Sequence, residues 1–244
     1  MSMRPDAVHQ VLDAELTAAR ERRGGTSPQV LDVGGGSGGW AVPLAVAGCS
    51  VLVIEPSPNA LATLQRRVAE AGVGDRVTAV QGDTDALAEL APRGGADLVL
   101  GHGVLEVVDD AAAAVSALAA ALAPGGALSI LVANRYAAVL QRAVAGRLAD
   151  ARRLLADAAG VGADTGEALL RRFDVAGLSD LVGRAGLTVE LVQGHGVLAD
   201  LVPGSVLEAT PGATEALAEL ELAAARQPPL RDIAARLHVL ARRP

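Results

Sequence analysis

Val30-Leu31-Asp32-Val33-Gly34-Gly35-Gly36-Ser37-Gly38 decides how the rest of the chain is read. Apolar residues on both sides of one acid lead straight into a run of glycines, which predicts a buried strand delivering a turn built to hold a ligand. Glycine is required where backbone approaches a ligand closely or adopts positive φ, and a helix after such a turn offers unpaired N–H groups. Further on, Val51-Leu52-Val53-Ile54 runs into Glu55. Laid beside the first strand, this second one would set a carboxylate over the glycine turn, where ribose hydroxyls lie in sheets of this kind.

On the N-terminal side of that stretch, residues 6–22 place Val8, Val11, Leu12, Leu16 and Ala19 on one face, an amphipathic helix ended by Arg22-Arg23-Gly24-Gly25. After the glycine turn a helix through Trp40 and Leu44 stops at Gly48, and another runs from Ser57-Pro58-Asn59 to Gly72. Strands are predicted at 77–80, ending in Gln81-Gly82-Asp83; at 97–100, running into Gly101-His102-Gly103; and at 127–133, ending in Asn134. Helices are expected around 87–90 and over 110–123. This alternation means βαβ units and a parallel sheet covered on both faces. Beyond Asn134 it lapses: residues 137–172 look helical, followed by a helix at 177–185, a strand at 187–192, a helix at 213–226 and a closing strand at 237–240. The last two strands are expected to pair as an antiparallel hairpin at the sheet edge. The fold class is α/β: a Rossmann-like, seven-stranded, mostly parallel sheet with helices on both faces and a helical lid insertion.

A formal charge of −7 argues against a general nucleic-acid coat, because non-specific binding to phosphate is mainly electrostatic. Every basic residue is Arg. Between Arg135 and Arg172 the sign reverses: seven Arg (135, 142, 147, 152, 153, 171 and 172) stand against Asp150, Asp157, Asp164 and Glu167, a local +3 that leaves −10 elsewhere. Such a segment fits an anionic substrate, and fits a solvated helix face equally well. Cys49 is the single cysteine, which rules out an intramolecular disulfide and a Cys-based zinc site; no metal is expected. Residues 1–6 lack the apolar core of a signal peptide. The uncharged stretch 111–134 is broken by Pro124-Gly125-Gly126, so a helix, a turn and a strand are expected there rather than a membrane span. The expectation is a soluble cytoplasmic protein without a membrane partner.

Asp32, Glu55, Asp83, His102 and Asn134 all fall at or near predicted strand C-termini, where open α/β sheets bind ligands. Gly34, Gly36 and Gly39 satisfy G-x-G-x-x-G, a pattern that nicotinamide enzymes also use. Asp32, however, stands where dinucleotide-binding strands are normally apolar; it could accept hydrogen bonds from the loop or from a cofactor amino group. Asp83 is placed to meet an adenine edge, and no second αβ domain follows to hold a nicotinamide substrate.

As a set, Val30–Gly38, Ile54-Glu55, Gly82-Asp83 and Leu122-Ala-Pro-Gly-Gly-Ala-Leu128 resemble the class I S-adenosylmethionine-dependent methyltransferases over residues 28–133. That resemblance implies S-adenosyl-L-methionine as cofactor. Gly34, Gly36 and Gly38 would lie at its methionine part with Asp32 a further contact, Glu55 at both ribose hydroxyls, and Asp83 with the Thr84 backbone at adenine. Outside the shared motifs, Asp97-Leu-Val-Leu-Gly-His-Gly-Val-Leu-Glu106 and Asn134 with Val144-Ala145-Gly146 are similar to the tRNA carboxymethoxyuridine methyltransferases. So is the tail, in Ala216-Leu217, Glu219-Leu220-Glu221, Arg226-Gln227, Arg236, His238-Val239 and Ala241-Arg242. Arg4, Gln10 and Asp13 keep that family's N-terminal spacing. This closer resemblance implies Arg4, Glu55 and His102 as cofactor contacts and a carboxylate of a modified tRNA uridine as methyl acceptor.

Transfer from a sulfonium is an in-line displacement, and a carboxylate acceptor needs no general base, only a cationic partner that holds it. The lid arginines, or Arg236 and His238, could serve. A hydroxyl or amine acceptor would want a base, for which His102 is best placed. Asn134, Arg135 and Arg142 are the candidate substrate contacts. A methyltransferase for an anionic small metabolite would use the same core; a nicotinamide-dependent oxidoreductase or a non-catalytic cofactor-binding protein are the readings from other classes. The chain is read as one domain over 1–244, with an N-terminal helix (1–27), a cofactor-binding core (28–134), the lid (135–175) and the C-terminal part of the core (176–244).

Overall fold

The computed structural model describes residues 6–157 and 171–244. Arg4, and the part of the expected lid at 158–170 with Asp164 and Glu167, lie outside the described residues.

Strands β1 (Gln29–Val33), β2 (Ser50–Glu55), β3 (Val77–Gln81), β4 (Ala96–His102) and β5 (Leu122–Ala133) run parallel to one another. Two more complete the sheet, β6 (Thr188–His195) and β7 (Arg236–Arg242), and the order is β3-β2-β1-β4-β5-β7-β6. β7 is antiparallel to both neighbours. The expected antiparallel pair at the sheet edge is present, with the last strand inserted beside β5 and β6 outermost. Burial explains the order. Leu237 to Ala241 are buried throughout and need strands on both sides, whereas Thr188 and Glu190 are exposed, as suits an edge.

Strand residues alternate between two helical layers. Val30, Val51, Val53, Leu98 and Leu100 pack with α1 (Ala7–Arg22), α2 (Ala41–Val46) and α3 (Pro58–Ala71). Leu31, Val33, Ile54, Val99 and Leu128 pack on the other side with α4 (Leu87–Leu90), α5 (Ala111–Ala121) and α8 (Val175–Arg184). Local chemistry sets the boundaries. Asp6 accepts hydrogen bonds from the Val8 and His9 N–H groups, both at 2.9 Å, and so caps α1. Ser57 caps α3 with Pro58 in its first turn, and Gly72, at φ +67°, ends it. Past β5 lie α6 (Arg135–Val144) and α7 (Leu148–Ala156). The six-residue α9 (Gly204–Ala209) is too short to show a periodicity in sequence; it precedes α10 (Ala213–Ala224). Among the described residues no helix is long and apolar enough to cross a membrane.

One ion cluster ties the last strand to the first helix. Arg242 donates to both oxygens of Glu15 at 2.7 Å and to Glu190 at 2.6–2.8 Å, and Arg22 donates to Glu15 at 3.0 Å. Burial would raise the Glu15 carboxyl, but the bonds from Arg242 and Arg22 outweigh it and hold the group below its ordinary range. Arg242→Ala leaves this buried carboxylate with Arg22 alone and should cost about 2–3 kcal/mol in urea unfolding near neutral pH. Because the folded pKa is depressed, the interaction stabilises above the unfolded pKa and is lost as pH falls through the folded value. The deficit of Arg242→Ala should accordingly shrink below about pH 4.

Candidate active site

Connections leave β1 and β4 in opposite directions, and where strand order reverses a crevice opens beyond the strand C-termini. A cavity of about 460 Å³ occupies it, lined by Gly34, Glu55, Asp83, Thr84, Gly103 and Val104 among others. A hollow of the same size lies over the β2–β3 face near Leu52, Thr78 and Leu90, where single-turn α4 leaves the sheet thinly covered. It is remote from the strand C-termini.

The glycine turn is shaped by close approaches. Gly34 sits at φ +66°, and a Cβ there would come within 2.8 Å of Val104 Cγ2 across the crevice. Gly36 donates its N–H to Glu55 Oε2 at 2.9 Å, and Ser57 donates to Oε1 at 2.9 Å. Glu55 thus braces the turn while using two of the roughly four acceptor positions a carboxylate offers. The rest suffice for a pair of hydroxyls. Gly38 answers a different demand, since a Cβ there would collide with the Leu64 side chain of α3. The following helix begins only at Ala41, so the turn extends further than the sequence suggests.

Asp32 shares its strand face with Val30 and is 1% exposed. Its Oδ2 has no hydrogen-bond partner among the described residues. A Cβ on Gly35 would lie 2.7 Å from that oxygen, so the absence of a side chain at 35 makes room for it. The expectation that Asp32 accepts bonds from the loop is corrected here. Burial, with the nearby charge of Glu55 added, pushes its carboxyl up to about 7. On the opposite wall, Asp83 Oδ1 accepts from the Asp85 and Ala86 N–H groups at 3.1 and 3.2 Å, which folds the 83–86 turn so that Asp83 and Thr84 line the cavity.

His102 ends β4 on the α1 face. Its ring meets the edge of Trp40 at 4.9 Å between centroids, and His9 lies against the other part of Trp40 at 4.3 Å. His102 Nε2 is bonded to Ser129 Oγ at 2.8 Å, and its buried Nδ1 has no partner among the described residues. Burial, then the charges of His238 and Arg236, lower its pKa well below the ordinary value. The lowered pKa makes this imidazole a weaker proton acceptor than an ordinary histidine, and its Nε2 is already engaged by Ser129.

The expected substrate contacts are differently employed. The Asn134 amide donates to Asp232 O and Ala234 O while its Oδ1 accepts from Tyr136 N–H, so it caps α6 and anchors the 232–234 turn. Arg135 bonds to Asp174 at 2.6 Å and to the carbonyls of Leu155 and Asp157 at 3.2 Å. Arg142 is buried and donates to Ala138 O within its own helix. Asn134 and Arg135 tie α6 to the 232–234 turn, to α7 and to Asp174, Arg142 is bonded within α6, and Arg135 Nε stays buried without a partner among the described residues. His238 is fully buried among Ser129 and Gln193, which overturns its assignment as a cation for an anionic acceptor. Arg236 is exposed at the start of β7 and keeps that role open.

Two groups were not singled out from sequence. Glu106 accepts from the Ala133 N–H with Oε1, while its buried Oε2 has no partner among the described residues; burial raises its pKa against the pull of Arg236 and Arg172. Its signal was the acid closing Val104-Leu105-Glu106. Ser129 carried a signal only in being the one polar residue between Ala127 and Ala133.

The profile of a family described as a methyltransferase domain matches residues 7–192. The chain belongs to this methyltransferase family. The methyltransferase is 29% identical over 137 residues to the tRNA 5-carboxymethoxyuridine methyltransferase of Escherichia coli K12, a match covering 56% of the chain. It spans about half the length of that relative, 52%. Among solved structures, it superposes on an S-adenosylmethionine-dependent methyltransferase from Mesorhizobium loti with a TM-score of 0.62 at 20% identity, covering 96% of this chain and 97% of the other. The magnesium protoporphyrin IX methyltransferase of Synechocystis PCC 6803, with bound SAH, gives 0.60 at 16% identity, covering 100% and 90%. These likenesses establish the fold.

The crevice of this methyltransferase fits S-adenosyl-L-methionine, its cofactor. The side-chain-free turn at Gly34–Gly36, the spare acceptor capacity of Glu55 and the orphan oxygen of Asp32 are the features such a cation-bearing nucleoside requires. Glu55→Ala should weaken S-adenosylhomocysteine binding at least tenfold by calorimetry, since it removes a carboxylate lining the crevice and the brace on Gly36 together. Asp32→Asn tests the raised carboxyl. The folded state retains a proton that the unfolded state loses, so wild-type stability falls as pH rises from about 4 to 7. An amide at this position has no such linkage, and the Asp32→Asn variant should gain about 3–4 kcal/mol relative to wild type across that window.

Proposed function

We propose that this methyltransferase esterifies a carboxylate, with the carboxymethoxy group of a tRNA uridine as the acceptor of choice. One observation carries the reading: Arg236, exposed at the start of β7, offers a cation to an acceptor carboxylate, and the burial that lowers the pKa of His102 at the C-terminus of β4 favours a reaction without a general base. An acceptor that arrives already nucleophilic needs none. The relative from Escherichia coli, whose name specifies carboxymethoxyuridine, points the same way.

The cofactor supplies an electrophilic methyl group on a sulfonium. The protein then has three tasks. Gly34–Gly36 and Glu55 hold the nucleoside and fix its direction. Trp40, whose ring meets His102, and Val104, which lines the cavity, exclude water there. Arg236, exposed at the start of β7 and near enough for its charge to act on His102 and Glu106, offers a cation that holds an acceptor carboxylate without quenching it as buried ion pairing would. Orientation of two bound reactants is worth about 7–11 kcal/mol, enough to make alignment the principal contribution.

A small anionic metabolite is the second reading, and composition favours it: with one Trp, one Tyr and one Phe, the chain has little aromatic surface on which to stack unpaired bases. The two separate in one experiment. Purified protein and methyl-labelled cofactor are incubated with total bacterial tRNA and, in parallel, with a metabolite extract. The tRNA reading expects label in RNA that mild alkali releases, because an ester hydrolyses; unlabelled RNA beside a labelled metabolite would replace it with the second reading. Arg236→Ala should raise KM for the acceptor about tenfold and leave cofactor affinity unchanged.

A further inference from the structure

A chain of polar groups crosses four neighbouring strands on the α1 face of the sheet: His102 on β4, Ser129 on β5, His238 on β7 and Gln193 on β6. Ser129, His238 and Gln193 are each fully buried. Ser129 Oγ lies 2.8 Å from His102 Nε2 and 2.8 Å from His238 Nε2, and His238 Nδ1 lies 3.0 Å from Gln193 Nε2. The direction of every bond follows from the two groups at its far end. Gln193 faces the carbonyl of Ala7 on α1 at 2.9 Å on one side and the Nε–H of Arg226 at 3.4 Å on the other. A carbonyl only accepts and a guanidinium only donates. The amide nitrogen must face Ala7 and the amide oxygen Arg226.

The remaining proton of that nitrogen points at His238 Nδ1, which must be bare. His238 is then neutral and carries its proton on Nε2, in keeping with a burial that pushes its pKa down to about 4. Its Nε2–H donates to Ser129 Oγ. Ser129 Oγ is fully buried with only the two imidazoles as partners among the described residues, so the one acceptor its own proton can reach is His102 Nε2. His102, neutral for the reasons above, is left with its proton on Nδ1, the buried atom that has no acceptor among the described residues.

We infer that Ser129, His238 and Gln193 are positioning residues that lock His102 in its Nδ1–H tautomer, presenting an N–H donor to a carboxylate oxygen of the bound ligand. An orphaned buried donor costs about 1–3 kcal/mol, a cost that one acceptor atom from the ligand removes. In the other tautomer a bare nitrogen would face the carboxylate and repel it. The relay also makes this choice depend on the docking of α1, because Ala7 O sets the Gln193 amide. The tautomer follows from the protein alone; its use toward a substrate carboxylate rests on the acceptor proposed above, and a cofactor carboxylate is the other source of the same chemistry.

The test begins with the ligand-free, 15N-labelled protein, whose imidazole nitrogens report their protonation in long-range 1H–15N correlation spectra. Wild type should show His102 protonated on Nδ1 and bare on Nε2, and His238 the reverse. Ser129→Ala should release His102 to the other tautomer, and Ser129→Thr, which keeps the hydroxyl, should restore it. Two binding arms name the carboxylate: a loss of about tenfold in S-adenosylhomocysteine affinity in Ser129→Ala assigns it to the cofactor, and a comparable rise in KM for total tRNA at saturating cofactor assigns it to the acceptor. Rescue of that loss by threonine supports the relay. A wild-type His102 protonated on Nε2 overturns the inference. So does a Ser129→Ala variant with unchanged tautomer or with both binding arms unaltered, and so does a threonine variant as defective as alanine, which would mark Ser129 as a packing residue. If wild type methylates no tRNA, the acceptor reading fails while the spectra and the cofactor arm still decide the relay.

Discussion

The ligand end of this molecule depends on the reversal of strand order between β1 and β4. Wherever neighbouring strands send their chains in opposite directions, no connection covers the space between them. The crevice is therefore a consequence of topology before any side chain is considered. What keeps it open is the glycine turn, and what keeps the turn in place is Glu55, whose two oxygens receive the N–H groups of Gly36 and Ser57. The same carboxylate that serves the architecture is aimed at the ligand space, so shape and recognition draw on one group.

Burial of the sheet on both faces dictates where polarity is tolerated. Within β1 the only charged side chain is Asp32, and it is accommodated by a raised pKa rather than by a partner. Ser129, His238 and Gln193 are tolerated because each satisfies the next, and the one atom the chain cannot satisfy lies at its end, on His102. Networks of this kind are costly when incomplete. The orphan atoms of Asp32, His102 and Glu106 belong to residues at or just beyond the C-terminal ends of β1 and β4, the end of the sheet where a ligand can supply what the fold leaves out.

The fold was largely legible in the chain. Val30–Val33, Val51–Ile54, Val77–Val80 and Asp97–Leu100 stood out as short apolar runs between turn residues, and Gly72 and Ser57 marked helix ends through conformations and caps that few other residues supply. Glu55, Asp83 and the glycines could be placed because strand C-termini and turn chemistry are local properties. Asn134, Arg135, Arg142 and His238 could not. Each sits at a strand end or in a charged stretch that resembles a binding surface, and only the tertiary packing shows Asn134 bonded to the 232–234 turn, Arg135 to Asp174 and the end of α7, Arg142 to a carbonyl of its own helix, and His238 to Ser129 and Gln193.

Residue order alone was enough for the parallel α/β core and the position of its ligand turn, because these follow from periodicity and from glycine's freedom at Gly34 and Gly36; the kind of nucleoside it receives came from the family resemblance that the glycine turn, Glu55, Asp83 and the 122–128 turn carry as a set. The order of the last two strands and the protonation pattern that runs from Ala7 to His102 emerged only once the chain was packed. Those depend on contacts between residues up to 186 positions apart, such as Gln193 with Ala7, where sequence spacing carries no information about who donates and who accepts.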